Sequence, residues 1–179
     1  MGAAEMTSLG LRVAELIFSV IVMALSGNMI SMYIDGSPPS VNYAMFASAF
    51  SIFTLIYLFP ASVNTNLSGH PIVMVVVDTL NAIWFLTSGI VLASRIKVFD
   101  CDSQGILEDN RVTNDSAEPP KTCREAKSTD AFLWFAWACY TASMIVSFIQ
   151  AMRSRGASRA GGRGGGRARP AKSPMMTQV

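Results

Sequence analysis

Four long apolar stretches, separated by polar breaks, dominate the hydrophobic pattern of the chain. Each is close to or above the roughly 20 residues that a helix needs to cross a bilayer. The predicted transmembrane helices lie at about residues 11–34, 41–60, 71–94 and 131–151. Of the 179 residues only 15% are charged, whereas soluble domains contain about a quarter. The sequence therefore predicts an all-α membrane protein built as a four-transmembrane-helix bundle.

The segments outside the helices differ in length and character. Residues 1–10 form a short N-terminus, and a Gly-Ser-Pro-Pro turn at 36–39 joins the first two helices. Pro and Gly end helices, which sets that boundary. Residues 95–130 form one long polar loop, and residues 152–179 form a tail of Arg, Gly, Ala, Ser and Pro. The tail lacks the apolar residues needed to fold, so it is predicted to be disordered.

The distribution of basic residues predicts the orientation. Cytoplasmic segments next to spans are enriched in Lys and Arg. The long loop carries six basic residues, but its eight acids oppose them, whereas no acid follows the last span. We therefore expect both termini in the cytoplasm and the 95–130 loop outside. The tail has seven basic residues: Arg153, Arg155, Arg159, Arg163, Arg167, Arg169 and Lys172.

Two features of the long loop agree with an outer location. Cys101 and Cys123 bracket it and could form a disulfide in an oxidising compartment. The bridge would close a loop of about 20 residues, worth on the order of 3 kcal/mol. Asn114 begins an Asn-Asp-Ser glycosylation sequon, which is usable only on the lumenal side. We therefore predict a disulfide and a glycan in this loop.

Asp78 is an acid about 10 Å along the third span, where a charge is costly and faces the bundle interior. One interpretation is an ion or proton site of a small transporter or channel. The other is a structural residue bonded to hydroxyls such as Thr54, Tyr57 or Ser147. We favour the structural interpretation, because the sequence offers Asp78 no partner base. Helical spacing predicts that one stripe faces inward: Asp78, Asn81, Ala82, Ser88 and Gly89.

Glu15 and Arg12 lie three residues apart near the start of the first span. Residues at that spacing are neighbours on a helix surface. We expect an ion pair at the membrane interface. Trp134, Trp137 and Tyr140 begin the fourth span, where they fit an aromatic belt.

The basic tail predicts binding to anionic lipid head groups, at about 1 kcal/mol for each charge near the surface. Its Gly-Arg run at 161–167 also resembles segments that bind RNA. No aromatic residue is interleaved and the membrane is closer, so we expect no nucleic-acid partner. Ser158 and Ser173 are candidate phosphorylation sites, because phosphate there would weaken the contact with the membrane.

No motif of an enzyme is evident in the sequence. One histidine and three cysteines give no metal-ligand spacing, and no Ser-His-Asp set or nucleotide-binding glycine motif is present. We therefore expect neither catalysis nor a cofactor.

Specific stretches of the membrane region resemble a known family. They include an Asn-Tyr-x-Met-Phe motif starting at Asn42 and a Cys-Arg run at 123–124. The stretches concerned are residues 41–53, 78–81, 87–93, 123–127 and 131–135. Together with four spans, they are similar to the fungal non-classical export protein 2 family of MARVEL-domain proteins.

That resemblance implies a plasma-membrane protein that organises lateral domains, including furrow-like eisosomes, and forms cortical patches. It also implies a response to sphingolipids, contact with other proteins of the same domains, and a link to the export of proteins without signal peptides. Small residues recur at four-residue spacing in the spans, as in Ala44 and Ser48, which suits close helix packing and also self-association into a homo-oligomer.

Overall fold

The computed structural model describes residues 3–63, 71–96 and 101–162. These ranges contain five helices: α1 Ala3–Met32, α2 Pro39–Val63, α3 Pro71–Arg95, α4 Gln104–Asp109 and α5 Pro119–Gly162. The four long helices are apolar enough to cross a membrane. The predicted four-helix membrane fold is confirmed, and the short helix α4 lies in the long loop.

The long helices extend beyond the predicted spans. Helix α1 begins at Ala3, within the segment expected as an N-terminus, and α5 runs from Pro119 to Gly162 rather than 131–151. Hydropathy marks only the part of a helix that lipid would surround. Pro119 suits the first position of α5, because the first N–H groups of a helix have no partner within it and proline has no N–H to leave unpaired. The added turns of α5 are held because Thr122, Cys123 and Ala126 are buried.

Each long helix packs mainly on two neighbours. Helix α1 lies against α2 and α5, and α3 lies against the same two helices. The helices thus form a ring in which α1 faces α3 and α2 faces α5 across the middle. The core contains apolar side chains from all four: Val22, Ala44, Phe85, Leu92, Leu133 and Ala136.

The two ends of the bundle are different. The first turns of α1 and α3 and the last turns of α2 and α5 share one end, here called the terminal end. The opposite end carries the α1–α2 turn and the α3–α5 connection, and is called the loop end. At the α1–α2 turn Gly36 has φ +110°, a conformation that side-chain-bearing residues avoid. Pro39 then starts α2.

The loop end is tied together by covalent and hydrogen bonds. A disulfide joins Cys101 to Cys123 and buries both beside Leu107. Tyr33 donates its hydroxyl to the carbonyl of Val112 at 2.5 Å. Burial, followed by the nearby charge of Asp115, raises the pKa of Tyr33, so this hydroxyl remains protonated at neutral pH. These bonds hold the long connection against the ends of α1 and α5.

The outward faces of the helices are apolar. Phe53 and Ile56 of α2 are 73% and 70% exposed, and Ile17 of α1, Ile83 of α3 and Phe148 of α5 are also exposed. Exposed apolar area of this extent requires lipid or another span to cover it. The fold therefore buries polar side chains together with its apolar core and presents an apolar surface outward.

Candidate functional site: a buried polar column

Arg12 and Asp78 form an ion pair inside the bundle. The two terminal guanidinium nitrogens of Arg12 lie 2.5 and 2.8 Å from the two carboxylate oxygens of Asp78. Both residues are fully buried. A two-bond contact of this kind fixes the relative position of both side chains. It also joins α1 to α3 across the middle of the bundle.

Two further contacts complete the cluster. Glu15 accepts a hydrogen bond from Arg12 at 3.0 Å and a second from the hydroxyl of Ser143 at 2.5 Å. Ser147 donates to Asp78 at 3.1 Å. Both serines lie one turn apart on α5. Three helices thus meet around one guanidinium and two carboxyl groups.

The expectation that Asp78 lacks a partner base was wrong, because Arg12 is that base. Arg12 was expected at the interface, yet it lies inside the bundle, where the cost of burying its charge is offset by two acids. The predicted Arg12–Glu15 pair is present. Of the hydroxyls proposed for Asp78, Ser147 binds it, whereas Thr54 accepts from Asn81 at 3.0 Å instead.

Tyr57, the third of those hydroxyls, is 42% exposed on the outer face of α2. Tyr140 was expected in an aromatic belt, but it is fully buried and stacks on Phe85 with ring centroids 5.5 Å apart. Tyr140 is nine residues past residue 131, the predicted start of the span, or about 13 Å along the helix. That depth is near the middle of the span and too far from the interface for an aromatic belt.

A chain of hydroxyl groups continues from the cluster towards the loop end. The Ser19 and Ser51 oxygens lie 2.6 Å apart, and the Ser51 and Tyr140 oxygens lie 2.5 Å apart. Ser26, about two turns beyond Ser19, donates to the carbonyl of Val22 in its own helix. Each residue is buried. We call the Arg12 cluster and this hydroxyl chain together the polar column.

Some polar atoms beside the column lack partners among the residues that the structure describes. They are the Nε of Arg12, the Oδ1 of Asn81 and the Oγ of Ser88. Unpaired buried polar atoms carry a desolvation cost of about 1–3 kcal/mol each. These three atoms therefore add to the cost of burying the column.

The predicted inward stripe of α3 agrees with the structure, which buries Asp78, Asn81, Ala82, Ser88 and Gly89. Helix α1 carries a matching inward stripe of polar residues, which the sequence prediction did not include. Arg12, Glu15, Ser19 and Ser26 recur at helical spacing on that helix. That recurrence is the signal that could have placed Arg12 on the inward face of α1.

The other predicted site residues lie away from the column. Asn114 is exposed at the loop end. Ser158 lies within α5, as do Arg153, Arg155 and Arg159. Ser173 lies outside the described residues, as do Arg163, Arg167, Arg169 and Lys172. In the described ranges, no group of His, Cys, Asp and Glu has the arrangement of a metal site.

A bundle of four apolar helices with an inward polar column defines a multi-pass membrane protein. The sequence pattern of the membrane-associating (MARVEL) domain matches residues 5–146. No solved structure matches the chain.

Named relatives agree with this pattern. The chain is 33% identical to non-classical export protein 2 of Saccharomyces cerevisiae over 152 residues, 84% of each chain. It is 31% identical to the non-classical export protein 2 homolog of Schizosaccharomyces pombe over 136 residues, 75% of this chain and 73% of the relative. Non-classical export protein 102 of Candida albicans is 30% identical over 139 residues, 78% of this chain and 80% of the relative. The chain therefore belongs to the MARVEL-domain family, among the non-classical export protein 2 relatives, which confirms the resemblance.

Proposed function

We propose that the protein is a non-enzymatic organiser of lateral lipid–protein domains in the plasma membrane, of the eisosome type. The observation that carries this proposal is the division of polar and apolar side chains in the bundle. Both acids of the cluster contact Arg12 inside the bundle, and the outward faces are apolar. Such a body offers lipids and neighbouring spans a rigid apolar surface.

The basic tail adds a second contact with the membrane. In the orientation that we propose, both termini lie in the cytoplasm and the disulfide faces the oxidising side. The seven basic residues after Met152 then lie next to the anionic inner leaflet. We propose that they bind anionic head groups, and that phosphate on Ser158 or Ser173 weakens this contact.

The relatives' names suggest a further role. Several are named non-classical export proteins. We propose that this protein is linked to export in the same way, through the membrane domains that it organises rather than by carrying cargo. Sphingolipids and other proteins of these domains, including copies of itself, are its proposed partners.

Imaging in the host tests the organiser role. The full-length protein would carry a fluorescent tag between α2 and α3, which leaves both termini free. We expect static patches at the cell cortex that change when sphingolipid synthesis is blocked. An even signal over internal membranes would contradict the proposal.

A tail series tests the basic residues in the same cells. Changing the seven residues to Gln should disperse the patches and reduce binding to anionic liposomes. Changing the six arginines to Lys keeps the charge and should preserve both. Equal loss in both variants would indicate that arginine itself, rather than charge, is recognised.

The polar column supports a second candidate, a small transporter or channel for protons or ions. Arg12, Glu15 and Asp78 place one cation and two acids inside the bundle. The hydroxyl chain from Ser19 to Tyr140 extends from it. Flux in proteoliposomes that Asp78→Asn abolishes would establish this function, and no flux under several gradients would exclude it.

A further inference from the structure

A cavity of about 610 Å³ opens at the loop end, away from the polar column. It lies between the α1–α2 turn, the last turns of α3 and the residues just before α5. Its volume is within the range of ligand sites in proteins. Side chains that carry charge at its wall are Arg95, Arg111 and Asp115.

The charge of this cavity is unbalanced. Two arginines and one aspartate line the cavity, and within the described ranges neither Arg95 nor Arg111 forms an ion pair. Other basic residues of the same end are paired: Lys121 with Glu118, and Arg124 with Asp102. Two arginines without an ion pair among the described residues suit the oxygens of a phosphate group.

The height of the cavity matches the head-group layer of a membrane. Arg95 is the last residue of the third span. Val91 and Thr87, which also line the cavity, lie about one and two turns farther in, respectively. The cavity therefore extends from the end of the span into its apolar part, as a lipid does.

An aromatic surface continues from the cavity into the membrane. Tyr43 lines the cavity and lies 6.0 Å from Trp84, measured between ring centroids. Phe46 and Phe50 lie 5.7 and 6.5 Å from the same indole. We call these four residues the aromatic strip. Trp84 is 11 residues before Arg95, or about 16 Å deeper along α3.

We propose that this cavity binds the phosphate-bearing head group of a membrane lipid, whose apolar chain lies along the aromatic strip. Arg95 and Arg111 hold the phosphate, and the strip covers the chain. A free phosphate ion would use the arginines alone and would gain nothing from the strip. Such a site would give the proposed organiser a specific lipid contact. Its biological meaning rests on the organiser role proposed above.

Equilibrium binding to the purified full-length protein tests the site. The probe is dioctanoyl phosphatidylglycerol, added to protein in a neutral detergent and measured by native mass spectrometry. We expect saturable binding of one lipid. In the Arg95→Gln/Arg111→Gln variant its Kd should rise at least tenfold. The backbone carbonyl of Arg95, which accepts a hydrogen bond from Asn110, is kept in that variant.

The matched control is Lys121→Gln/Arg124→Gln, which removes two positive charges from the same end without touching the cavity. Its Kd should stay within twofold of the wild type. All variants are compared only where elution volume and melting midpoint agree with the wild type. Equal binding by the cavity variant and the wild type would overturn the proposal.

Two further ligands separate the lipid from a free anion. Dioctanoyl glycerol, which lacks phosphate, should not bind at the same concentration. Inorganic phosphate in hundredfold excess should not displace the lipid. Displacement by phosphate would show an anion site without lipid selectivity and would overturn the assignment, as would equal binding of dioctanoyl glycerol.

The aromatic strip is tested by Trp84→Leu, which keeps an apolar side chain at that position. We expect the Kd for the lipid to rise at least threefold, and an unchanged Kd would overturn the placement of the chain. These results concern purified protein. They do not depend on whether patches form in cells, so failure of this site is distinguishable from failure of the organiser role.

Discussion

Arg12 and Asp78 are 66 positions apart in the chain, yet their side chains share two hydrogen bonds in the middle of the bundle. The guanidinium of Arg12 also reaches Glu15, three residues away on its own helix. One cation therefore serves two acids on two helices. Removing the charge of Arg12 leaves two buried carboxyl groups without a cation. Removing the charge of Asp78 leaves the ion pair of Arg12 and Glu15 intact.

This asymmetry gives the first prediction. Arg12→Gln should lower the free energy of unfolding by about 3–5 kcal/mol, the usual cost of leaving a buried charge unpaired. Asp78→Asn should cost less, about 1–3 kcal/mol, because Glu15 still holds Arg12. The measurement is an SDS titration of the protein in detergent micelles, followed by circular dichroism.

Lys121→Gln is the matched control, since it breaks an exposed ion pair with Glu118. Such pairs contribute about 0–1 kcal/mol. If Asp78→Asn cost as much as Arg12→Gln, Glu15 would not be a second partner of Arg12, and the described cluster would be wrong.

The four helices could be predicted from the sequence, but the ion pair across them could not. An apolar stretch of about 20 residues has one stable conformation in a bilayer, so length and hydropathy suffice for the spans. Which helices lie opposite each other depends on packing between side chains far apart in the chain. The pair of Arg12 and Glu15 was predictable because the two residues are neighbours on one helix. The contact with Asp78 was not predictable, because it depends on which helices pack together.

The turns of α5 before residue 131 were missed for a different reason. They are amphipathic rather than apolar, with Thr122, Cys123 and Ala126 buried and Lys121 and Arg124 exposed. A search for lipid-facing residues assigns such a segment to a loop. Pro119 begins the helix, and the disulfide joins this segment to the loop.

The hydroxyl chain gives the second prediction. Tyr140→Phe keeps the ring that stacks on Phe85 and removes one hydroxyl, so it should lower the free energy of unfolding by about 0.5–1.5 kcal/mol. Ser51→Ala should cost more, because Ser51 joins Ser19 and Tyr140 and its loss leaves two buried hydroxyls without a shared partner.

The same SDS titration measures both variants, with Ser31→Ala as control. Ser31 is exposed and bonds only the carbonyl of Asn28 among the contacts described. A larger cost for Tyr140→Phe than for Ser51→Ala would mean that Tyr140 has a partner other than Ser51.

The disulfide gives the third prediction. Cys101 and Cys123 are separated by 22 positions, for which the chain-entropy model gives about 3 kcal/mol. Cys101→Ser should therefore lower the free energy of unfolding by about 2–4 kcal/mol. Reduction of the wild type should have the same effect, and Cys139→Ser should not, because Cys139 is a free cysteine.

Thiol counting checks the pairing directly. Denatured wild-type protein should react with one maleimide before reduction and with three after it. Three reactive thiols in unreduced protein prepared from the host membrane would show that this disulfide is absent in the cell.

Asn114 gives the last prediction, which concerns orientation. It is exposed at the loop end, on the same connection as the disulfide. If the loop end faces the lumen during synthesis, Asn114 receives a glycan, and glycosidase treatment should increase the protein's mobility on a gel. Asn114→Gln should abolish that shift.

Asn66 provides the internal control, because it begins a second sequon in the sequence between α2 and α3. That segment connects the helices at the terminal end, so Asn66 should remain unmodified when Asn114 is modified. The reverse result, a glycan that Asn66→Gln removes, would place the loop end in the cytoplasm. The disulfide would then face a reducing compartment, where such bonds do not persist, and the basic tail would lie on the outer side. Because Asn114 also lines the cavity beside Arg95 and Arg111, the same gel shift decides which leaflet supplies the proposed lipid.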